Sequence, residues 1–212
     1  MKLVIFGASG ATGKILTEQA LDAGHAVTAF VRTPAKLGLQ HERLSVVCGD
    51  VLDPVRVAAV LVGQDAVMIN LGAAPGQRVT LRTEGTRNII TGMKAAGVER
   101  LVCQTSLGFG DSVEVLASTS FIFRKVIVPL VLKGTFADHA AQEALIKASS
   151  LKWTIVRPGN MTNGKMTAQY HAGFPATTKG MKIKVSRADV AHFMLRVLGL
   201  PNSIGSTQAI SY

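Results

Sequence analysis

The chain has 212 residues, 48 % of them hydrophobic and 17 % charged, a globular composition with enough length for one sizeable core. Its 23 basic and 13 acidic residues leave a net charge of +10, but no run of five or more basic residues occurs and aromatics make up only 5 %, so a nucleic-acid partner would rest on charge alone. No apolar run reaches the roughly 20 residues a bilayer span needs; the nearest, Phe121 to Leu132, is broken by Arg124, Lys125 and Pro129.

In chain order, strand one is predicted at Leu3–Phe6, ending in Gly7-Ala8-Ser9-Gly10-Ala11-Thr12-Gly13, with a helix over Gly13–Ala23. Strands follow at Val27–Val31, Leu44–Cys48, Ala66–Asn70, Leu101–Gln104 and Trp153–Val156, each short and close to continuously apolar, the pattern of strands buried on both faces. Helical stretches lie between them at Pro54–Leu61, Arg82–Ala96 and Asp138–Ser149, and Gly24 and Gly97 stand where helices would end. A late helix at Arg187–Leu198 and a last strand at Thr207–Ile210 complete the chain. This βαβ rhythm predicts a single α/β Rossmann domain over residues 1–212, with a doubly wound, mostly parallel sheet and helices on both faces. Phe121–Leu132 is either a lid over the substrate or a plain buried helix. Cys48 and Cys103, inside apolar runs and without metal-ligand spacing, are expected to be reduced core thiols, and no metal site is expected. Strand one begins almost at Met1, so a cleaved leader would destroy the glycine segment, and the expected location is the cytoplasm.

A strand, a glycine-rich turn and a helix start make an anion-binding device: helix N-terminal N–H groups point at a phosphate, and the glycines let the backbone approach a pyrophosphate. Gly7 would make the turn, Gly10 the close approach and Gly13 the helix–strand packing; Ser9, Ala11 and Thr12 lie in the same loop. The spacing is GxxGxxG, as in short-chain dehydrogenase relatives. In such sheets the ligand sits outside the strands' carboxyl ends, which nominates Gly7 to Gly13, Arg32, Asp50, Leu71 to Ala73, Thr105 to Gly108, and Pro158 to Met161, Asn160 included. An NAD-preferring fold places an acidic residue about 20 residues past the glycines. Here Arg32 stands there, with no acidic residue before Glu42, so NADP is the expected cofactor, the guanidinium pairing with the 2′-phosphate. The alternative is a solvated surface arginine. Asp50 and Val51 would flank the adenine, unless Asp50 belongs to a helix cap beside Asp53-Pro54.

These residues resemble an atypical short-chain dehydrogenase of the flavin reductase and biliverdin-IXβ reductase type. The resemblance runs nearly end to end, through Phe6-Gly7-Ala8, Gly10-Ala11-Thr12-Gly13, Val31-Arg32, Gly49-Asp50-Val51-Leu52, Gly63-Gln64-Asp65-Ala66-Val67, Leu71-Gly72, Glu84-Gly85-Thr86-Arg87-Asn88-Ile89, Met93-Lys94-Ala95, Thr105-Ser106, Asp138-His139 and His192-Phe193-Met194-Leu195-Arg196. It implies NADPH-dependent reduction of flavins and of linear tetrapyrroles. From composition no nucleic-acid or membrane partner is expected, and the expected state is a monomer, with an oligomer as the alternative. Leu71, Gly72 and Ala73 would line the path of the second ribose. Ser106 stands at the family's active-site serine, where it could bond the substrate or the carboxamide; its bland reading is a turn serine.

The departures matter equally. The ordinary Tyr-x-x-x-Lys pair is missing: Phe174 stands four places after Tyr170, Tyr212 ends the chain, and Phe136 to Ala141 occupy the expected position. Alcohol oxidation is therefore disfavoured, whereas reduction of a conjugated acceptor can take its proton from solvent. Arg157-Pro158-Gly159-Asn160-Met161 lacks the histidine of the mammalian relatives, and Gln104 replaces a family cysteine. Asp138 and His139 look like a catalytic pair, but Asp138 is expected to cap the helix that follows it, and His192 to be a packed core histidine. A non-catalytic dinucleotide sensor is the rival to a reductase.

Overall fold

The computed structural model describes residues 1–72, 80–118, 121, 123–173 and 182–212. Strands β1 (Lys2–Phe6), β2 (Ala26–Val31), β3 (Leu44–Cys48), β4 (Ala66–Ile69), β5 (Arg100–Gln104) and β6 (Lys152–Pro158) alternate with α1 (Ala11–Asp22), α2 (Pro54–Leu61), α3 (Leu81–Ala96) and α4 (Lys133–Lys147). After β6 come β7 (Asn160–Thr162), β8 (His171–Ala172), β9 (Lys184–Ser186), α5 (Arg187–Leu198) and β10 (Ser206–Ser211). The main sheet has eight strands in the order β3-β2-β1-β4-β5-β6-β10-β8, all parallel except β8 against β10; β7 and β9 form a separate parallel pair. The order reverses between β1 and β4, which is the switch point where ligands of doubly wound sheets bind.

Strand alternation builds the two cores. Along β1, Leu3 and Ile5 face one side with Leu16 and Ala20 of α1 and Phe193 and Val197 of α5. Val4 and Phe6 face the other, with Val57 and Leu61 of α2, Ile89 and Met93 of α3 and Ile146 of α4. All four β1 residues are fully buried, as a central strand covered by helices on both faces must be. Fully burying side chains of this size contributes roughly 1.5–3 kcal/mol each, so the sheet's centre is the rigid base on which its carboxyl-end loops stand.

Four expectations need correction. β3 is not buried on both faces: it is the sheet's edge, and Ser45, Val46 and Cys48 are exposed, so only Cys103 is a buried thiol. The fourth helix begins at Lys133, so Asp138 lies inside it and does not cap it. His192 is half-buried, and its Nδ1 shares a 2.8 Å hydrogen bond with the Tyr170 hydroxyl. Within Phe121–Leu132, residues 123–132 form a wide helical coil leading into α4; Phe121, Val126, Leu130 and Val131 are exposed, which excludes a plain buried helix. No helix among the described residues is long and apolar enough to cross a membrane.

Candidate functional site

The loops after β1 to β6 surround one cleft of about 500 Å³ at the carboxyl edge of the sheet, a volume typical of small-ligand sites. Its floor is the glycine loop. Gly7 has φ +81°, a left-handed conformation, and a Cβ there would run into the Asn70 carbonyl; a Cβ on Gly13 would overlap the Gly7 carbonyl. Gly10 differs, because the nearest atom to its would-be Cβ is Gly7 O at 3.2 Å and the other side opens into the cleft. Gly10 starts α1 in extended conformation, and among the described residues no side chain caps that helix, whereas Asp53 caps α2 and Ser186 caps α5. The first N–H groups of α1 are left for a ligand, and the helix dipole favours an anion there.

At one end of the cleft lie Phe30, Val31, Arg32, Lys36, Gly49 and Val51. A hollow of about 330 Å³ adjoins it, walled by Ser9, Arg32, Thr33 and Lys36. The Arg32 side chain is exposed and makes no ion pair among the described residues. Lys36 gives this hollow a second cation. Sequence reasoning missed it because it sits on the single helical turn Pro34–Lys36, with no periodicity to mark a face. Midway stand Leu71, Gly72 and Asn70, whose amide nitrogen and oxygen are both buried without a partner among the described residues. A polar residue closing the apolar fourth strand was the available signal.

The other end is lined by Leu81, Arg82, Gln104, Ser106, His139 and Met161. Met161 Sδ lies 3.8 Å from Thr12 Oγ1 and 3.6 Å from Gln104 Nε2, so it bridges the glycine loop and β5. Ser106 Oγ donates to the Leu107 carbonyl at 2.9 Å, the bond of a turn serine, within a segment tied down by Leu107 N–H donating to the Pro158 carbonyl at 3.0 Å. Beneath it, Glu143 Oε1 accepts from Thr105 Oγ1 at 2.7 Å and from Arg157 Nε at 2.8 Å, while Arg157 Nη2 reaches Glu143 Oε2 at 2.6 Å and Nη1 pairs with Asp111. Burial raises the Glu143 pKa, but the Arg157 bonds outweigh it and hold the carboxyl below its ordinary value. Arg157 thereby ties β6 to α4 and to the post-β5 loop.

Of the predicted site residues, Gly7, Ser9, Gly10, Ala11, Thr12, Gly13, Arg32, Val51, Leu71, Gly72, Ser106 and Met161 line this cleft. Asp50, Pro158 and Asn160 do not. Asp50 is turned to its own loop, accepting from Leu52 N at 2.9 Å; Pro158 is buried at the end of β6; Asn160 is exposed and pairs with β9. Ala73 lies outside the described residues. Neither tyrosine stands in the cleft: Tyr170 packs on His192 and Phe193, and the Tyr212 hydroxyl donates to Asp189 at 2.6 Å. Among the described residues no cluster of potential ligands could hold a metal.

The model of the NAD(P)H-binding family matches residues 7–201. An uncharacterized chloroplastic protein of Arabidopsis thaliana is 32 % identical over 78 % of this chain and 61 % of its own length, and the uncharacterized protein YwnB of Bacillus subtilis is 31 % identical over 82 % and 79 %. A short-chain dehydrogenase/reductase from Veillonella parvula in complex with NADP superposes with a TM-score of 0.79 at 15 % identity, covering 100 % of this chain and 94 % of that one. ChuY, an anaerobillin reductase from Escherichia coli O157:H7, gives 0.78 at 24 % identity, covering 100 % and 97 %. These likenesses carry the fold. Spanned by the family model from the first glycine of its loop to beyond α5, the chain belongs to the NAD(P)H-binding family, on a Rossmann-like fold, with NAD(P)H as its cofactor.

Proposed function

We propose that the protein is an NADPH-dependent reductase that passes a hydride to a conjugated acceptor, a flavin such as FMN or riboflavin and also a linear tetrapyrrole. The observation that carries this reading is the make-up of the cleft at the carboxyl edge of the sheet. A phosphate cradle and a two-cation hollow occupy one end, Ser106 the other, and no tyrosine stands between. The Gly10 edge and the first turn of α1 would hold the pyrophosphate, Arg32 and Lys36 the 2′-phosphate, and Val51 the adenine side. Leu71 and Gly72 would border the second ribose, and Asn70, whose amide lacks a partner among the described residues, fits a ribose or carboxamide hydrogen bond. The bound dinucleotide supplies the hydride.

What the chain itself contributes is placement. Holding two reactants face to face in a fixed orientation can supply several kcal/mol of a barrier without acid–base help. Without a Tyr/Lys pair, an acceptor that takes its proton from solvent suits this cleft better than an alcohol. The resemblance to flavin and biliverdin reductases and the anaerobillin reductase activity of ChuY support the acceptor class. The two free thiols, of which Cys48 is exposed, suit a reducing cytoplasm. Purified protein mixed with NADPH and FMN, riboflavin, biliverdin or a quinone tests the reading through absorbance at 340 nm. Loss above the protein-free rate is expected with flavins. No protein-dependent loss with any acceptor, alongside intact NADPH binding, would leave a dinucleotide sensor instead.

A further inference from the structure

His139 has a hydrogen-bonding state that the surrounding structure determines. The residue is 7 % exposed, on the cleft-facing side of α4. One turn on, Gln142 is fully buried; its Nε2 donates to Thr86 Oγ1 at 2.9 Å, and its carbonyl oxygen faces His139 Nδ1 at 3.3 Å. A carbonyl can only accept, so Nδ1 carries the proton and Nε2 the lone pair. Nε2 has no partner among the described residues. The ring is also held in plane: it stacks on Phe109 with centroids 5.9 Å apart and planes 9° apart, and Arg157 sits over the same Phe109 ring at 5.1 Å. Burial, reinforced by the Arg82 charge and only partly opposed by Gln142, Asp138 and Glu143, lowers the His139 pKa to about 4. At neutral pH the ring is uncharged, with a single unspent acceptor. It stands on α4 where the ordinary dehydrogenase tyrosine is expected, but it offers a lone pair instead of a proton.

We infer that His139 reads an imide or lactam N–H of the acceptor through Nε2, and so sets the substrate class within the reductase reading on which this inference rests. A flavin presents an imide N3–H between two carbonyls, and a linear tetrapyrrole presents lactam N–H groups. A quinone presents only carbonyl oxygens, which a neutral Nε2 lone pair repels. The orientation of Gln142 therefore makes the cleft selective for N–H-bearing acceptors.

The test is binding of riboflavin and of its N3-methyl derivative to the NADP⁺-loaded protein, read by flavin fluorescence quenching. Wild-type protein is expected to bind riboflavin about tenfold more tightly, the worth of one net hydrogen bond. His139→Phe keeps the ring stack, and there the preference is expected to vanish while NADP⁺ affinity stays unchanged. Gln142→Leu, which frees the tautomer, is expected to shrink it. Equal wild-type binding of the two flavins, binding of neither, or an undiminished preference in folded His139→Phe overturns the assignment. NADPH oxidation by a quinone then shows separately whether the reductase reading stands. Conversely, N3-dependent binding without any flavin turnover overturns the reductase reading and keeps the His139 contact.

Discussion

Asp138 accepts hydrogen bonds from both the backbone N–H and the guanidinium of Arg82, at 3.1 and 3.3 Å, although the two residues belong to different helices. Its second oxygen accepts from Thr83 N at 2.9 Å and Thr83 Oγ1 at 2.6 Å. From inside α4, Asp138 thus caps the open N-terminus of α3, where the helix dipole favours a carboxylate. The pair is buried, and Arg82 lines the substrate end of the cleft. Asp138→Ala is expected to cost about 3–5 kcal/mol, since it strands a buried guanidinium and two orphan N–H groups. Asp138→Asn, which keeps one carbonyl acceptor, should cost less. Urea denaturation measures both, and a loss below about 1 kcal/mol for the alanine variant would contradict the cap.

That cap shows what the sequence could and could not reveal. The glycine loop, the strands β1 to β6 and the α/β class follow local rules: period, punctuation and spacing. They are legible because each rule acts within a few residues. Asp138 was assigned to its own helix because a capping partner 55 residues away leaves no local signal. Cys48 looked buried because its strand is apolar, and only the strand order shows that β3 lies at an edge. β7, β8 and β9, of two or three residues each, are too short for a pattern to emerge. The same logic separates Arg32, found by its distance from the glycines, from Lys36, which only the folded turn brings to the same hollow.

NADPH is expected to bind more tightly than NADH. Arg32→Ala should erode that gap by roughly 1.5–3 kcal/mol, the value of a charge-assisted hydrogen bond, with Lys36 retaining part of it. Titration calorimetry with both cofactors checks this. Equal affinities in wild-type protein would refute the 2′-phosphate assignment.

Ser106→Ala should slow flavin reduction by about tenfold, or ~1.4 kcal/mol. The hydroxyl already donates within its own turn and would orient the acceptor without moving a proton. A loss beyond a thousandfold at unchanged NADPH affinity would give Ser106 a chemical role; an unchanged rate would make it part of the turn only.

Stability should fall as pH drops from about 6.5 towards 4, before most carboxylates titrate. His139 is held neutral in the fold, with its pKa lowered to about 4, while the unfolded chain takes up a proton near the ordinary value of 6.5. The native state therefore binds fewer protons across this window, and the stability at stake is on the order of 3 kcal/mol. Below it, Glu143, Asp111 and Asp189 add their own losses, because each carboxyl is held below its ordinary pKa. Urea midpoints across the window should lose much of this slope in His139→Phe. An unaltered slope would place the titration elsewhere.

The most direct measurement of the central claim is NADPH oxidation with FMN by wild-type protein and by Gly10→Val, both shown to be folded. Gly10 opens into the cleft, so a valine there should occupy the pyrophosphate's place and leave the sheet intact, unlike a side chain at Gly13, which would collide with the Gly7 backbone. The account predicts protein-dependent loss of absorbance at 340 nm in the wild type, and none above background in Gly10→Val. Undiminished turnover in the folded variant, or none in the wild type with any acceptor, would contradict it.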